Sequence, residues 1–97
     1  MTITEFLLAR IAEDEHEARK AGSFTPWDRT FDRDNYGQLL VQPSRVLAEC
    51  EAKRQIVVRC SEMQLASQAI AVHLASRTLA DLALPYADHP DYREEWR

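Results

Sequence analysis

The sequence predicts an all-α fold: a small three-helix bundle with a long irregular connector over residues 23–42 and a short C-terminal helix docked by aromatic side chains. Apolar residues recur at helical spacing in three long segments. Two glycines and four prolines are too few for the many turns of an all-β domain. A chain of 97 residues can bury one modest core, so we expect residues 1–97 to form a single helical domain.

Composition and charge exclude several classes of function. A hydrophobic content of 45% with a net charge of −4 is not that of an intrinsically disordered chain. The acidic excess argues against binding to nucleic acid, which needs a basic surface. Residues 1–5 show no export signal, and the most apolar stretch, 65–84, has too many polar groups to span a membrane. We therefore expect a cytoplasmic protein with no membrane partner.

The first helix is predicted to begin in a capping box and to end at Gly22. Thr2 and Glu5 have the spacing at which each side chain accepts a hydrogen bond from the other residue's backbone N–H. The apolar stripe consists of Ile3, Leu7, Ile11, Ala18 and Ala21, with Phe6 on its flank. Three polar residues are expected on the solvated face: Glu13, Glu15 and His16. Asp14 falls inside the stripe, where it either pairs with a basic group of a neighbouring helix or lies beyond the packed part.

The connector over residues 23–42 has no helical period and alternates acidic and basic residues. Four aromatic side chains are its expected anchors on the core: Phe24, Trp27, Phe31 and Tyr36. Residues 38–41 form either a short strand or an apolar strip docked on the helices.

The second helix is predicted to start near Ser44, because Pro43 suits a first helical position, where no N–H is needed. Its apolar positions are Val46, Leu47, Cys50, Val57 and Cys60. An alternative function is a DNA-linked regulator using the basic residues of helix 44–60, which are Arg45, Lys53, Arg54 and Arg59. These four side chains point in different directions, and charges pair at helical spacing, Arg45 with Glu49 and Glu49 with Lys53. A solvated, ion-paired helix is the simpler interpretation.

Two alternatives remain open at the junction of the second and third helices. Ser61 and Gln64 form a new capping box, or the helix continues through Ser61. In either case residues 65–84 are helical, with an apolar stripe of Leu65, Ala69, Val72, Leu79, Ala80 and Ala83. Ile70 and Leu74 lie on another side of this helix. A helix that is apolar around most of its circumference is either central in its domain or covered by a partner. The chain has few other helices that could cover all the apolar sides of this one. We therefore predict homodimerisation through helix 65–84.

The tail is predicted to dock back on the bundle. Pro85 ends the third helix. Asp88 or His89 then caps a short final helix, which Pro90 opens at its first position. Three aromatic residues provide the area for docking: Tyr86, Tyr92 and Trp96.

No set of residues predicts catalysis, a bound cofactor or a metal site. Cys50 and Cys60 are expected to be small buried apolar residues in a reducing compartment. Glu13 and His16 have the spacing of one half of a helical di-metal site, but the chain has no second half. The lone His73 is expected in the core or at a subunit contact. At a subunit contact, its protonation near neutral pH would make the association of the subunits sensitive to pH.

A second alternative function is a small metal-dependent or hydrolytic enzyme centred on the segment 88–91, Asp88-His89-Pro90-Asp91. A carboxylate there would orient His89 as a base. Turn and capping chemistry is the simpler interpretation of the same residues.

Three blocks of the sequence resemble a known family. Residues 82–96 resemble the C-terminal signature of small actinobacterial and actinophage proteins known as domain of unknown function 6221, and residues 6–15 and 45–54 are similar to two further blocks. Pro26-Trp27 fits the Pro-Trp that follows the first helix in that family. The chain departs from the family at Gln42-Pro43, where relatives have Asp-Pro preceded by a histidine. It also has no long cysteine-bearing insertion before the last helix.

The resemblance implies an actinobacterial or phage setting, a cytoplasmic location and no established activity, and it supplies no catalytic residue. Together with the residues, it predicts a non-enzymatic protein–protein interaction or regulatory module that self-associates through helix 65–84. The expected partner is a second copy of the chain or a host or phage protein. The predicted interaction residues are Ile70, His73, Leu74, Tyr86, Tyr92 and Trp96.

Overall fold

The computed structural model describes residues 1–20 and 43–97. Three helices lie in these ranges, α1 (Ile3–Lys20), α2 (Pro43–Met63) and α3 (Ala69–Ala83), followed by single 3₁₀ turns at Leu84–Tyr86 and Glu94–Trp96. No strand occurs within the two ranges, so the all-α prediction is confirmed. The predicted connector with its four aromatic anchors, and the Gly22 cap, lie outside the described residues.

The start of α1 is the predicted capping box. The Thr2 N–H donates to Glu5 Oε1 at 2.8 Å, and the Glu5 N–H donates to Thr2 Oγ1 at 3.1 Å. The bond from the Thr2 backbone holds the pKa of the Glu5 carboxyl below its usual value. Two of the N–H groups that a helix start leaves without helical partners are therefore satisfied.

The core lies where α1 and α2 pack antiparallel and α3 covers them. Thr4 Oγ1 donates to Ser61 Oγ at 3.4 Å, while Glu15 further along α1 pairs with Arg54 earlier in α2, which fixes the antiparallel direction. The buried cluster contains Phe6, Leu7, Ile11, Cys50, Val57, Leu79 and Ala83. Each helix thus contributes the apolar residues of one face to a common core.

Glu15 corrects one prediction. It was expected on the solvated face of α1, but it is only 9% exposed and accepts a hydrogen bond from Arg54 Nη2. This bond holds the pKa of the Glu15 carboxyl below its usual value. Arg54 also donates to Glu51 Oε2 at 3.0 Å within α2. The position of Glu15 therefore depends on a partner that the α1 sequence alone does not reveal.

The junction between α2 and α3 matches neither alternative fully. The helix continues through Ser61, whose hydroxyl faces Thr4 of α1 instead of capping a new helix. It ends at Met63, and a turn follows in which the Leu65 and Ala66 N–H groups donate to the Glu62 and Met63 carbonyls. The third helix begins at Ala69, not at residue 65.

Pro85 ends α3 as predicted, but the final helix predicted at Pro90 does not form. His89 Nδ1 accepts the Asp91 N–H at 3.0 Å, as a capping side chain would. The chain then closes a turn, because the Tyr92 N–H donates to the His89 carbonyl at 3.0 Å. The only later helical turn among the described residues is Glu94–Trp96. The tail is thus an irregular segment held by its side chains.

Candidate interaction surface

The outer side of α3 carries two exposed aliphatic side chains one helical turn apart. Ile70 is 71% exposed and Leu74 is 60% exposed. Residues four positions apart share one face of a helix, so these two side chains form a continuous apolar ridge. We call Ile70 and Leu74 the α3 ridge.

The ridge is exposed because it lies opposite the side of α3 that packs in the core. Ala75, Leu79 and Ala83 are buried. Within the described residues, α3 is therefore apolar on its buried side and on part of its outer side. Leu65, which was predicted in the buried stripe, is 87% exposed because it lies in the turn after α2.

A groove lies between the α3 ridge and α2, and we call it the α2–α3 groove. It is lined by Arg59, Cys60 and Met63 of α2 and by Ile70, Ala71, Leu74, Ala75 and Thr78 of α3. Its volume is about 390 Å³. Thr78 Oγ1 donates to the Leu74 carbonyl at 2.9 Å, so its hydroxyl is satisfied by its own helix. Apart from Arg59, the lining is therefore apolar in character.

The two cysteines occupy different environments. Cys50 is 2% exposed in the core, and burial raises the pKa of its thiol. A thiol of raised pKa is a poor nucleophile. Cys60 is half-buried, because it packs against the core and also lines the groove. The prediction of a small buried apolar residue is thus confirmed for Cys50 but only partly for Cys60.

The tail aromatics surround Phe6, which is fully buried. The centroid of the Phe6 ring lies 5.0 Å from Trp96, 6.1 Å from Tyr92 and 6.2 Å from Tyr86. The Tyr92 and Trp96 rings meet edge-to-face at 5.6 Å. The predicted docking of the tail by aromatics is confirmed. A role of these three residues in binding a partner stays a prediction.

His89 belongs to the same cluster. Its ring lies edge-on to Phe6 at 5.6 Å, and Arg10 Nη1 lies against both ring nitrogens. Arg10 is 8% exposed, with its guanidinium 5.3 Å from the centre of the Phe6 ring. No carboxylate contacts the His89 ring within residues 1–20 and 43–97. The contacts of His89 thus hold the tail on α1, and none is that of a carboxylate-oriented base.

Tyr86 anchors the start of the tail through a hydrogen bond. Its hydroxyl donates to Asp14 Oδ2 at 2.7 Å. Burial, together with this bond, raises the pKa of the Tyr86 phenol above its usual value. Asp14 is thus satisfied by a tyrosine of the tail, and not by the basic group considered from the sequence.

Replacing Tyr86 with phenylalanine is expected to lower the free energy of unfolding by about 1 to 2 kcal/mol at neutral pH, because the Asp14 carboxylate loses its donor. The raised pKa adds a pH dependence. Stability from this group is present below the usual tyrosine pKa of about 10 and is lost as the pH rises through the higher folded value. Urea unfolding at several alkaline pH values should therefore show a steeper decline for the wild type than for Tyr86→Phe.

Tyr92→Phe is the matched control for this measurement. The Tyr92 hydroxyl is buried and has no hydrogen-bond partner among the described residues, so its removal should cost little stability or none. Equal losses for the two variants at neutral pH would show that the Tyr86–Asp14 bond does not stabilise the fold.

The other predicted site residues do not converge on one site. His73 is exposed on α3, so it does not lie in the core, and its predicted place at a subunit contact stays a prediction. His16 and Glu13 are exposed on α1. Among the described residues of α2, Arg45 pairs with Glu49 at 3.0 Å, and Arg54 pairs with Glu15 and Glu51. This pairing favours the solvated, ion-paired interpretation of α2.

No group of three or more His, Cys, Asp or Glu side chains in residues 1–20 and 43–97 is placed to hold a metal ion. No helix in the same part of the chain is long and apolar enough to cross a membrane.

Comparison with known families gives one match over the whole length of the chain. The model of the family described as "Family of unknown function (DUF6221)" matches residues 1–97. The chain belongs to this family. Comparisons with curated proteins and with solved structures give no match.

In this member of DUF6221, the block with the most specific resemblance is a structural element. Residues 82–96 include the three aromatic side chains that cover Phe6, and His89, which contacts Arg10. The block that most resembles the family is therefore the segment that covers the core in this structure.

Sequence reasoning identified the α3 ridge of this DUF6221 protein but missed the groove beside it. The α2 wall of the groove, Cys60 and Met63, was assigned to a buried stripe or left unassigned. No local signal in the sequence reveals it, because α2 ends at Met63 and α3 begins at Ala69 with no glycine or proline between them.

Proposed function

We propose that the protein is a non-enzymatic interaction module that self-associates through the α3 ridge. The observation that carries the proposal is the exposure of Ile70 and Leu74 on a helix whose opposite side already serves the core. Exposed apolar surface beyond what a monomer needs is typical of interaction sites. A host or phage protein is the other partner considered, and it would use the same surface.

The extent of the exposed surface limits the strength of the proposed self-association. Ile70 is 71% exposed, Leu74 60% and Met63 50%, and a few such side chains on each copy bury less than the ~1,200 Å² at the lower end of standard specific interfaces. Such an interface is small, so we expect a dimer that dissociates on dilution.

The contacts of the reactive side chains support a non-enzymatic role. Cys50 is buried with a raised thiol pKa, and His89 packs on Phe6 and Arg10. A nucleophile or base needs a partner that activates it and access to a substrate. Neither residue has that combination among the described contacts.

Sedimentation equilibrium over a wide concentration range tests the proposal. The mass of the wild type should rise from the 11.2 kDa of the monomer towards twice that value. Ile70→Asp and Leu74→Asp should each weaken association by about tenfold or more, because an interface would then bury a charge or lose an apolar anchor.

Val58→Asp is the matched control. Val58 is 43% exposed on α2 and does not line the groove, so its substitution should leave association unchanged. Circular dichroism of each variant verifies that the helices are retained. A wild type that stays monomeric at the highest concentration, or equal weakening by all three substitutions, would overturn the proposal.

A further inference from the structure

A cleft lies at the end of the bundle where α1 begins and α2 ends. The bond between Thr4 and Ser61 joins these two helices there, and α3 and the last 3₁₀ turn complete the walls. The volume of the cleft is about 310 Å³. We call it the tail cleft, and its walls include Ile3, Gln64, Ser76, Arg77, Ala80 and Trp96.

Arg77 gives the tail cleft an uncompensated positive charge. No ion pair or hydrogen bond engages its guanidinium among residues 1–20 and 43–97. The other charged residues of the lining are neutralised within the tail, since Arg97 Nε donates to Glu94 Oε2 at 2.9 Å. Glu95 Oε1 likewise lies 3.5 Å from Arg93 Nη1. The charge left over is that of Arg77, and a guanidinium binds carboxylates and phosphates strongly.

A second donor lies beside Arg77 on α3. Gln64 Nε2 donates to Ser76 Oγ at 3.0 Å, which fixes the hydroxyl at the wall of the cleft. A serine oxygen that accepts one bond still has its O–H to donate, and Ser76 donates to no acceptor in the described part of the chain. An oxyanion in the cleft therefore has a hydroxyl donor and a charged donor on consecutive residues of α3.

The tail contributes an aromatic ring to the lining. Trp96 is half-buried, and its ring is held in place by Phe6 at 5.0 Å and Tyr92 at 5.6 Å. Ile3 and Ala80 add apolar surface to the same cleft. Aromatic rings pack favourably on one another, either offset or edge-to-face. A cavity of about 150 Å³ holds one benzene molecule, so the volume of about 310 Å³ leaves room for one aromatic ring and an anionic group.

We propose that the tail cleft binds a small aromatic anion, with its carboxylate or phosphate on Arg77 and Ser76 and its ring against Trp96. The size of the cleft is at the low end for ligand sites, which limits the ligand to one ring. The proposal goes beyond the proposed self-association and does not depend on it, because no residue that lines the tail cleft belongs to the α3 ridge or the α2–α3 groove.

Proton–nitrogen NMR of the wild-type chain tests the proposal, with phenyl phosphate and benzoate as the probes. At least one of these probes should shift the indole N–H signal of Trp96 in a saturable way, with a dissociation constant on the order of 1 mM for a ligand of about ten non-hydrogen atoms. The signal is assigned by its loss in Trp96→Phe. The probe that binds more tightly identifies the oxyanion that the cleft prefers.

Two further probes each lack one half of the proposed ligand. Benzyl alcohol has the ring but no charge, and inorganic phosphate has the charge but no ring. Each should bind about tenfold more weakly than the better of the two aromatic anions, or weaker still, because each loses either the guanidinium or the indole as a partner.

Arg77→Gln should weaken binding of the aromatic anion by about tenfold or more and leave binding of benzyl alcohol unchanged, because it removes only the charged donor. Arg59→Gln is the matched control. Both arginines are exposed, and Arg59 lines the α2–α3 groove instead of the tail cleft, so its substitution removes the same charge without changing the site. Circular dichroism of both variants verifies that the helices are retained.

The proposal fails if neither aromatic anion shifts the Trp96 signal at concentrations well above the expected constant. It also fails if benzyl alcohol binds as tightly as the aromatic anions, since the cleft would then act only as an apolar patch. Equal weakening by Arg77→Gln and Arg59→Gln would show that the anion responds to the total charge of the protein, and the site would be wrong. None of these results depends on the oligomeric state measured by sedimentation.

Discussion

Replacing Phe6 with alanine is expected to lower the free energy of unfolding by about 3 to 5 kcal/mol, which is a large part of the stability of a small domain. Phe6 is fully buried, and its ring contacts those of Tyr86, Tyr92 and Trp96. Its removal leaves a cavity beneath the tail. Urea unfolding followed by circular dichroism measures the loss.

Leu65→Ala is the matched control for this truncation. Leu65 is 87% exposed, so its removal should change the free energy of unfolding by less than about 0.5 kcal/mol. A Phe6→Ala variant as stable as Leu65→Ala would show that the aromatic cluster does not close the core in solution.

Replacing Trp96 with alanine is expected to lower the free energy of unfolding by about 2 to 3 kcal/mol, somewhat below the cost at a fully buried site, because Trp96 is half-buried. Its ring lies 5.0 Å from Phe6 and 5.6 Å from Tyr92. The near-ultraviolet circular dichroism of the aromatic cluster should fall in parallel with the stability.

Two further variants show whether the stability lost in Trp96→Ala comes from the contact between Trp96 and Phe6. Arg93→Ala alters an exposed side chain of the same tail segment and should have little effect. The double variant Phe6→Ala with Trp96→Ala should lose less stability than the two single losses added together, because the residues share one contact. Strict additivity would mean that Trp96 does not pack on Phe6.

Much of the fold could be predicted because its signals are local. The Thr2–Glu5 capping box and the prolines at positions 43 and 85 each act through the backbone within a few residues. The helical periods of α1 and α2 follow from the spacing of apolar residues in the same way.

The errors concern residues whose position depends on distant parts of the chain. Glu15 is buried because Arg54 of α2 reaches it, and Ser61 stays helical while its hydroxyl meets Thr4. No helix continues from Pro90: after one turn the backbone is extended at Arg93, and Tyr92 and Trp96 on either side of it pack on Phe6. Predicting these positions requires knowledge of the tertiary structure.

The same distinction between local and tertiary signals applies to the candidate surface. Ile70 and Leu74 are separable from the core face of α3 by their spacing alone, so the ridge could be predicted. The groove arises only when the turn after Met63 folds α3 back beside α2. The angle between two helices is set by packing and cannot be read from either helix.

The order of synthesis gives the aromatic cluster a consequence for folding in the cell. Phe6 leaves the ribosome well before Trp96, which covers it and lies ninety positions later in the sequence. Contacts of such large sequence separation form late and slow the folding of a small domain. The nascent chain therefore leaves Phe6 without its Trp96 contact until Trp96 itself has been synthesised, and chains truncated before Trp96 should be susceptible to proteases and aggregation.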